Sequence, residues 1–183
     1  NAADELLKVG AWQTSEQVAR GLESQTLPGQ LAFLLSRYAQ VAAAYHEAQT
    51  RPDRLATTLD ALERTLPKWE MALTNGQLLV HLAGLTMAAG DLATAWTRAD
   101  RAVAFLEKFP QHQASAYAIR SRVASALAAQ QPSDLPRPDL DQAAADADQA
   151  LALLAEHGPR PPRAPLVRLA QIEVELARQA PAA

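Results

Sequence analysis

The chain has 183 residues and a net charge of −3, and it contains 41 Ala and 27 Leu but no Cys. Ala and Leu are strong helix formers, so the composition favours an all-α fold. The slightly acidic balance argues against nucleic acid as a partner, because phosphate binding needs a basic surface. The absence of Cys excludes disulfides, thiolate metal sites and a cysteine nucleophile. No apolar run reaches the roughly 20 residues that a membrane-spanning helix needs.

The chain begins with Asn1-Ala2 rather than Met, which we interpret as the remnant of a cleaved tag. We therefore predict a single domain over residues 3–183, a length that suits one hydrophobic core. A segment removed before it could be an export signal, a linker or another domain. We favour an export signal and expect an exported or periplasmic bacterial protein, with a cytoplasmic protein as the alternative.

Hydrophobic periodicity and the positions of Pro and Gly predict a series of helices along the chain. Asn75-Gly76 lies inside the fifth helix and is expected to break or bend it, because Gly is a poor helix former. The first helix is short, and the last lacks a following partner. The predicted helices lie near residues 3–9, 14–25, 29–49, 52–66, 69–89, 91–108, 112–129, 139–157 and 162–180.

These helices repeat one another in pairs. The second helix of each pair has small or apolar residues spaced by 4, 3 and 4 positions, and this pattern returns after 40 and then 48 residues. The Pro-rich segment 130–139 accounts for the longer interval. Such periodicity predicts stacked αα-hairpins. The matching sets are Leu55, Leu59, Leu62 and Leu66; Ala95, Ala99, Ala102 and Leu106; and Ala143, Ala147, Ala150 and Leu154; in the partner helices Tyr38, Ala42, Tyr45 and Ala48 match Leu78, Leu82, Leu85 and Ala88.

Local signals mark where several helices begin. Thr50 and Asp53 have the spacing of a capping box, and Asp91 can accept hydrogen bonds from first-turn amides. Pro138 suits the first turn of a helix because its missing N–H would have no partner there.

Residues 84–110, GLTMAAGDLATAWTRADRAVAFLEKFP, resemble a tetratricopeptide repeat. Gly90-Asp91 matches the tight turn that joins the two antiparallel helices of that family's unit. Ala95 and Ala102 match the small residues of its second helix, and Pro110 lies about three positions after the place of the proline near its end.

The chain departs from the family in two respects. Its intervals of 40 and 48 residues exceed the family's unit of about 34 residues. Leu79 and Ala83 also stand where the family has a large aromatic residue and a glycine. The resemblance implies an all-α, right-handed αα-hairpin superhelix, a solenoid of about four hairpins with a C-terminal capping helix.

No constellation of residues supports catalysis. The His residues are too far apart to share a helical face, and no nucleophile elbow, phosphate-binding loop or dinucleotide fingerprint is present. We therefore predict no enzyme activity, no cofactor and no metal site, and we place an unusual enzyme last among the function classes. His81 is interpreted as an exposed or core-edge residue, and Trp12, Trp69 and Trp96 as packing anchors.

The acidic run DLDQAAADADQ needs separate consideration as a cation site. Asp139 and Asp141 fall in a predicted first helical turn, where the helix dipole favours negative charge. Asp146 and Asp148 are two residues apart and do not converge on one face, and the glycine of a calcium-binding loop is missing. We interpret the run as a solvated, capped helix.

The leading hypothesis is a non-catalytic scaffold that binds a protein or peptide on the concave face of the array. The resemblance implies that residues of the first helices line this face, with small residues leaving room for a ligand. The alternative is a ligand-sensing or regulatory module of a larger protein, which binds a small molecule in the same concavity. The predicted partner-binding residues are Gln40, Ala44, Glu47, Gln77, Val80, His81, Gly84 and Met87.

Overall fold

The computed structural model describes residues 40–41, 43–44, 50, 52–64, 72–130, 138–157 and 163–179, and all of the regular structure in these ranges is α-helix. The all-α prediction is confirmed for this part of the chain. The helices are α1 (Pro52–Arg64), α2 (Ala72–Ala88), α3 (Leu92–Phe105), α4 (Pro110–Ala129), α5 (Pro138–His157) and α6 (Arg163–Gln179).

The turn between α2 and α3 ends one helix and starts the next within three residues, 89–91. Gly90 has a φ of +86°, and its amide bonds to the Met87 carbonyl while the Asp91 amide bonds to the Thr86 carbonyl. This pair of bonds is a Schellman motif, which favours Gly at the left-handed position. The Asp91 carboxylate then accepts from the Thr94 amide at 3.0 Å and caps α3. The sequence predictions for both residues are confirmed.

Helix α2 runs without interruption through Asn75 and Gly76, so a break there is wrong, while a bend stays a prediction. A Cβ atom at Gly76 would lie 2.4 Å from Cγ of Leu106, the residue that follows α3. Gly76 therefore allows the two helices of this hairpin to approach closely. This close packing compensates for the low helix propensity of Gly.

The core lies between successive helices and is built largely from Ala. One cluster joins α1, α2 and α3 to the first half of α4, and two smaller clusters join α4, α5 and α6. The most extensive contacts are those of α4 with α5 and of α2 with α3, and α4 also contacts α2, α3 and α6. Ala95, Ala99 and Ala102 are fully buried, as are Ala143 and Ala150. The repeated small residues thus lie at the helix–helix contacts.

The start predicted for α5 is also confirmed, because this helix begins at Pro138. Trp96 packs against the buried cluster of Ala124, Ala143 and Ala147, as a packing anchor would. The side chain of Asp53 lies outside the described residues, and so do the predicted helices near 3–9 and 14–25, Trp12 and Trp69.

Candidate functional site

An open groove of about 520 Å³ lies between the ends of α2 and α4 and helix α6. Helices α2 and α4 are the first members of successive hairpins, and Leu92 at the start of α3 also lines the groove. Its walls are mainly apolar, and four polar side chains interrupt them. The lining residues are Met87, Gly90, Leu92, Arg122, Ser125, Ala126, Ala129, Gln130, Glu173, Leu176 and Ala177.

An ion pair joins two walls of the groove. Arg122 on α4 donates from Nε to Oε2 of Glu173 on α6 at 2.8 Å, and from Nη2 to Oε1 at 3.1 Å. The two side chains are 21% and 31% exposed, so they are partly shielded but remain reachable from the groove. A bidentate Arg–carboxylate pair fixes both side chains in orientation. It offers a bound molecule one cationic and one anionic contact, side by side.

Ser125 is the most buried of the four polar residues that line the groove. It is only 6% exposed, and among the described residues its Oγ has no hydrogen-bond partner. A buried hydroxyl without a partner carries a free-energy cost that a hydrogen bond would remove. A ligand group that reached Ser125 would therefore gain a donor or acceptor already removed from water.

Met87 is the one predicted partner-binding residue that lines this groove. Val80 and His81 are only 7% and 4% exposed. Ala44 is fully buried. Such buried side chains have little surface to offer a partner in this conformation. Val80 belongs to the large core cluster.

The other predicted residues are spread over different surroundings. Gln77 is hydrogen-bonded through Nε2 to Nδ1 of His112 at 2.7 Å. A Cβ atom at Gly84 would make ordinary contact with Ile119 at 3.6 Å. Gln40 is exposed, and Glu47 lies outside the described residues. Partner binding by all eight residues stays a prediction.

Arg98 is a buried cation that the sequence interpretation missed. It lies on α3 with 3% of its side chain exposed, and it contacts Asp60 and Glu63 on α1 at 2.6 Å each. Its Nη1 also donates to the hydroxyl of Thr86 on α2. That hydroxyl donates in turn to the Leu82 carbonyl at 2.6 Å. One guanidinium therefore connects three helices.

Arg120 on α4 makes a second connection of this kind. Its Nε and Nη2 bind the two carboxylate oxygens of Asp146 on α5 at 2.7 and 2.8 Å, and its Nη1 binds Asp100 on α3. The guanidinium carbon lies 5.7 Å from the ring centre of Trp96 and 5.3 Å from that of Tyr117, within cation–π distance. The hydrogen bonds to Asp146 raise the pKa of Arg120 above its ordinary value, so the guanidinium stays charged.

The solvated interpretation of Asp146 is therefore wrong, because its side chain is 3% exposed and bound by Arg120. A signal was present in the sequence. Arg98 and Asp146 are 48 residues apart, so they occupy the same position in two copies of the second helix. In each copy that position directly precedes a buried Ala, Ala99 or Ala147. A charged residue that directly precedes a buried Ala in both repeats lies beside a helix–helix contact, so it indicates a buried ion pair.

The described residues contain no group of three or more His, Asp or Glu side chains placed to hold a metal ion. Likewise, none of the helices in the described ranges has the length and apolar character needed to cross a membrane. No protein-family model, no curated protein and no solved structure shows significant similarity to this chain.

Proposed function

We propose that this chain is a tetratricopeptide-like, right-handed array of αα-hairpins that binds a protein or peptide segment without catalysing a reaction. The observation that carries the proposal is the groove formed by α2, α4 and α6. In a stack of hairpins the first helices share one side of the array, and an extended binding surface develops along them.

The chemistry of the groove suits a short peptide segment with one or two apolar side chains. Met87, Leu92 and Leu176 supply apolar contact, and the small side chains of Ala126 and Ala129 leave space in the groove for a large side chain. Arg122 and Glu173 together form a charge pair that can bond the peptide backbone or a polar residue beside the apolar anchor. Anchors in apolar pockets with polar contacts at the edge are typical of peptide recognition.

A peptide-display selection tests the proposal directly. Peptides selected on the wild-type chain would be synthesised with a fluorophore, and their affinities measured by fluorescence anisotropy. Ala126→Arg places a long charged side chain in the groove and is expected to weaken binding about tenfold or more. Val80 is unsuitable for this purpose, because a change at a buried residue would disturb the fold.

Ala104→Arg is the matched control, since Ala104 is exposed on α3 and does not line the groove. It should bind each peptide as the wild type does, and circular dichroism should show the same helix content for all three proteins. Peptides that bind Ala126→Arg as tightly as the wild type would contradict the assignment of the groove.

The ligand-sensing alternative rests on two observations. The groove volume of about 520 Å³ lies within the range of small-molecule pockets, and Ser125 presents a buried hydroxyl without a partner among the described residues. A metabolite that binds the folded state raises Tm in proportion to ln(1 + [L]/Kd). A thermal-shift screen should then find a stabilising compound whose effect is lost in Ala126→Arg and kept in Ala104→Arg. A peptide-binding scaffold should show no such compound.

A further inference from the structure

Helix α6 has apolar side chains on two opposite faces. Val167, Ala170 and Val174 are at most 3% exposed and pack into the clusters with α4 and α5. The opposite face carries Leu169, Ile172 and Leu176, which are 41%, 52% and 61% exposed. These three, called the α6 stripe below, are the exposed large hydrophobic residues of the described chain.

The α6 stripe differs from the outer face of a capping helix. A helix that caps an array has a polar outer face, whereas α6 presents a contiguous apolar surface to water. The spacing of three and then four residues is that of the contact positions in a pair of packed helices. The predicted role of α6 as a cap is thus at odds with its outer face.

Two exposed charges indicate which surface covers the stripe. Arg168 and Glu175 lie seven residues apart, two helical turns, on the same edge of the stripe, and neither has an ion-pair partner within the described residues. When two such helices pair antiparallel, residues on the same edge face each other across the contact. Arg168 of one copy then lies opposite Glu175 of the other, and the twofold symmetry forms this pair twice.

A parallel pairing would not bring these charges together. Equivalent residues would then lie at the same height, and Arg168 would be about 10 Å along the axis from Glu175 of the second copy. We infer that two copies of this chain associate antiparallel through their α6 stripes, with Arg168 and Glu175 forming reciprocal ion pairs beside the apolar contact. This inference does not depend on the proposed peptide-binding function, although Leu176 belongs to both surfaces and a bound peptide and the dimer would compete for it.

The charge pattern permits a test by exchange. Arg168→Glu alone and Glu175→Arg alone each replace both ion pairs by like-charge contacts, and each should raise the dimer Kd by about tenfold or more. The double variant R168E/E175R restores opposite charges and should dimerise as the wild type does. An equimolar mixture of the two single variants should form a heterodimer, because every charge then meets its opposite.

Sedimentation velocity over a concentration series measures these equilibria, and circular dichroism checks that each variant keeps its helix content. Ile172→Ser at the centre of the stripe should yield a monomer, while Ala145→Ser on the exposed side of α5 should leave dimerisation unchanged. High salt should reduce the difference between the single variants and the wild type.

Two results would overturn the proposed dimer interface, and a third its antiparallel orientation. One is a wild-type chain that stays monomeric at every concentration, which would leave the stripe to a different protein. The other is a dimer that neither Ile172→Ser nor the single charge changes weaken, which would place the interface elsewhere. A mixture of single variants that stays monomeric while the double variant dimerises would refute the antiparallel orientation.

Discussion

Removing the cation of Arg120 should destabilise the fold far more than removing an exposed arginine. Arg120→Met keeps an unbranched stem against Trp96 and Tyr117 but leaves the Asp146 carboxylate, 3% exposed, without its bidentate partner. A buried charge that loses its partner costs about 3–5 kcal/mol of stability. The lost contact with Asp100, which is 58% exposed, adds at most about 1 kcal/mol. We therefore expect a loss of about 4 kcal/mol at pH 7. Urea titrations followed by helix content measure the free energy of unfolding of each variant.

Two further variants separate this mechanism from a general loss of packing. Arg101→Met removes an arginine that is 46% exposed and should cost less than about 1 kcal/mol. The double variant R120M/D146L replaces the whole pair by apolar groups and should recover to within about 1 kcal/mol of the wild type. The reasoning fails if Arg120→Met costs less than about 1 kcal/mol, or if the double variant is no more stable than Arg120→Met alone.

Two other predictions concern the α2–α3 hairpin. Gly76→Ala should destabilise the fold by about 1–3 kcal/mol, because its Cβ would overlap the side chain of Leu106. Gly84→Ala makes only ordinary contacts and should be neutral or stabilising by up to about 1 kcal/mol. Equal urea midpoints for the two variants would refute this prediction. The hydrogen bonds from Thr94 lower the pKa of Asp91 below its ordinary value. The contribution of the Asp91 carboxylate to stability is therefore present above its unfolded pKa and lost as the pH falls through its folded pKa. Asp91→Asn should thus flatten the acid side of the plot of unfolding free energy against pH, and an unchanged plot would contradict the assignment. Asp91→Ala should cost about 1 kcal/mol at pH 7.

The fold could be predicted from the sequence where one local signal determined the structure. Gly90 and Asp91 specify a turn by their own backbone and side-chain chemistry, and the repeated Ala positions mark buried helix faces by spacing alone. The continuity of α2 through Gly76 could not be predicted, because it depends on the position of Leu106, which is 30 residues later in the chain. Tertiary packing there outweighs helix propensity.

The site was harder to predict than the fold for the same reason. Assigning a face to α2 required the direction of each side chain, and the resemblance placed Val80 and His81 towards a partner when they are buried in the structure. Arg122 and Glu173, which pair across the groove, are 51 residues apart and belong to helices whose contact no local pattern specifies. Length and spacing predict helices, whereas such pairs depend on how the hairpins stack.

In several of the arginine–carboxylate pairs, the carboxylate precedes the arginine in the sequence. Arg120 also binds Asp146, which comes later in the sequence, but Arg98 binds carboxylates of α1 and Arg120 binds Asp100 of α3, and these acceptors precede their arginine. During synthesis the N-terminal part of a chain emerges first, and each of these carboxylates is therefore exposed to the growing structure before its arginine arrives. Arg122 is the reverse case, since Glu173 comes later. The array can thus assemble in the order of translation, and among the described helices the groove between α4 and α6 forms only after α6 has been synthesised.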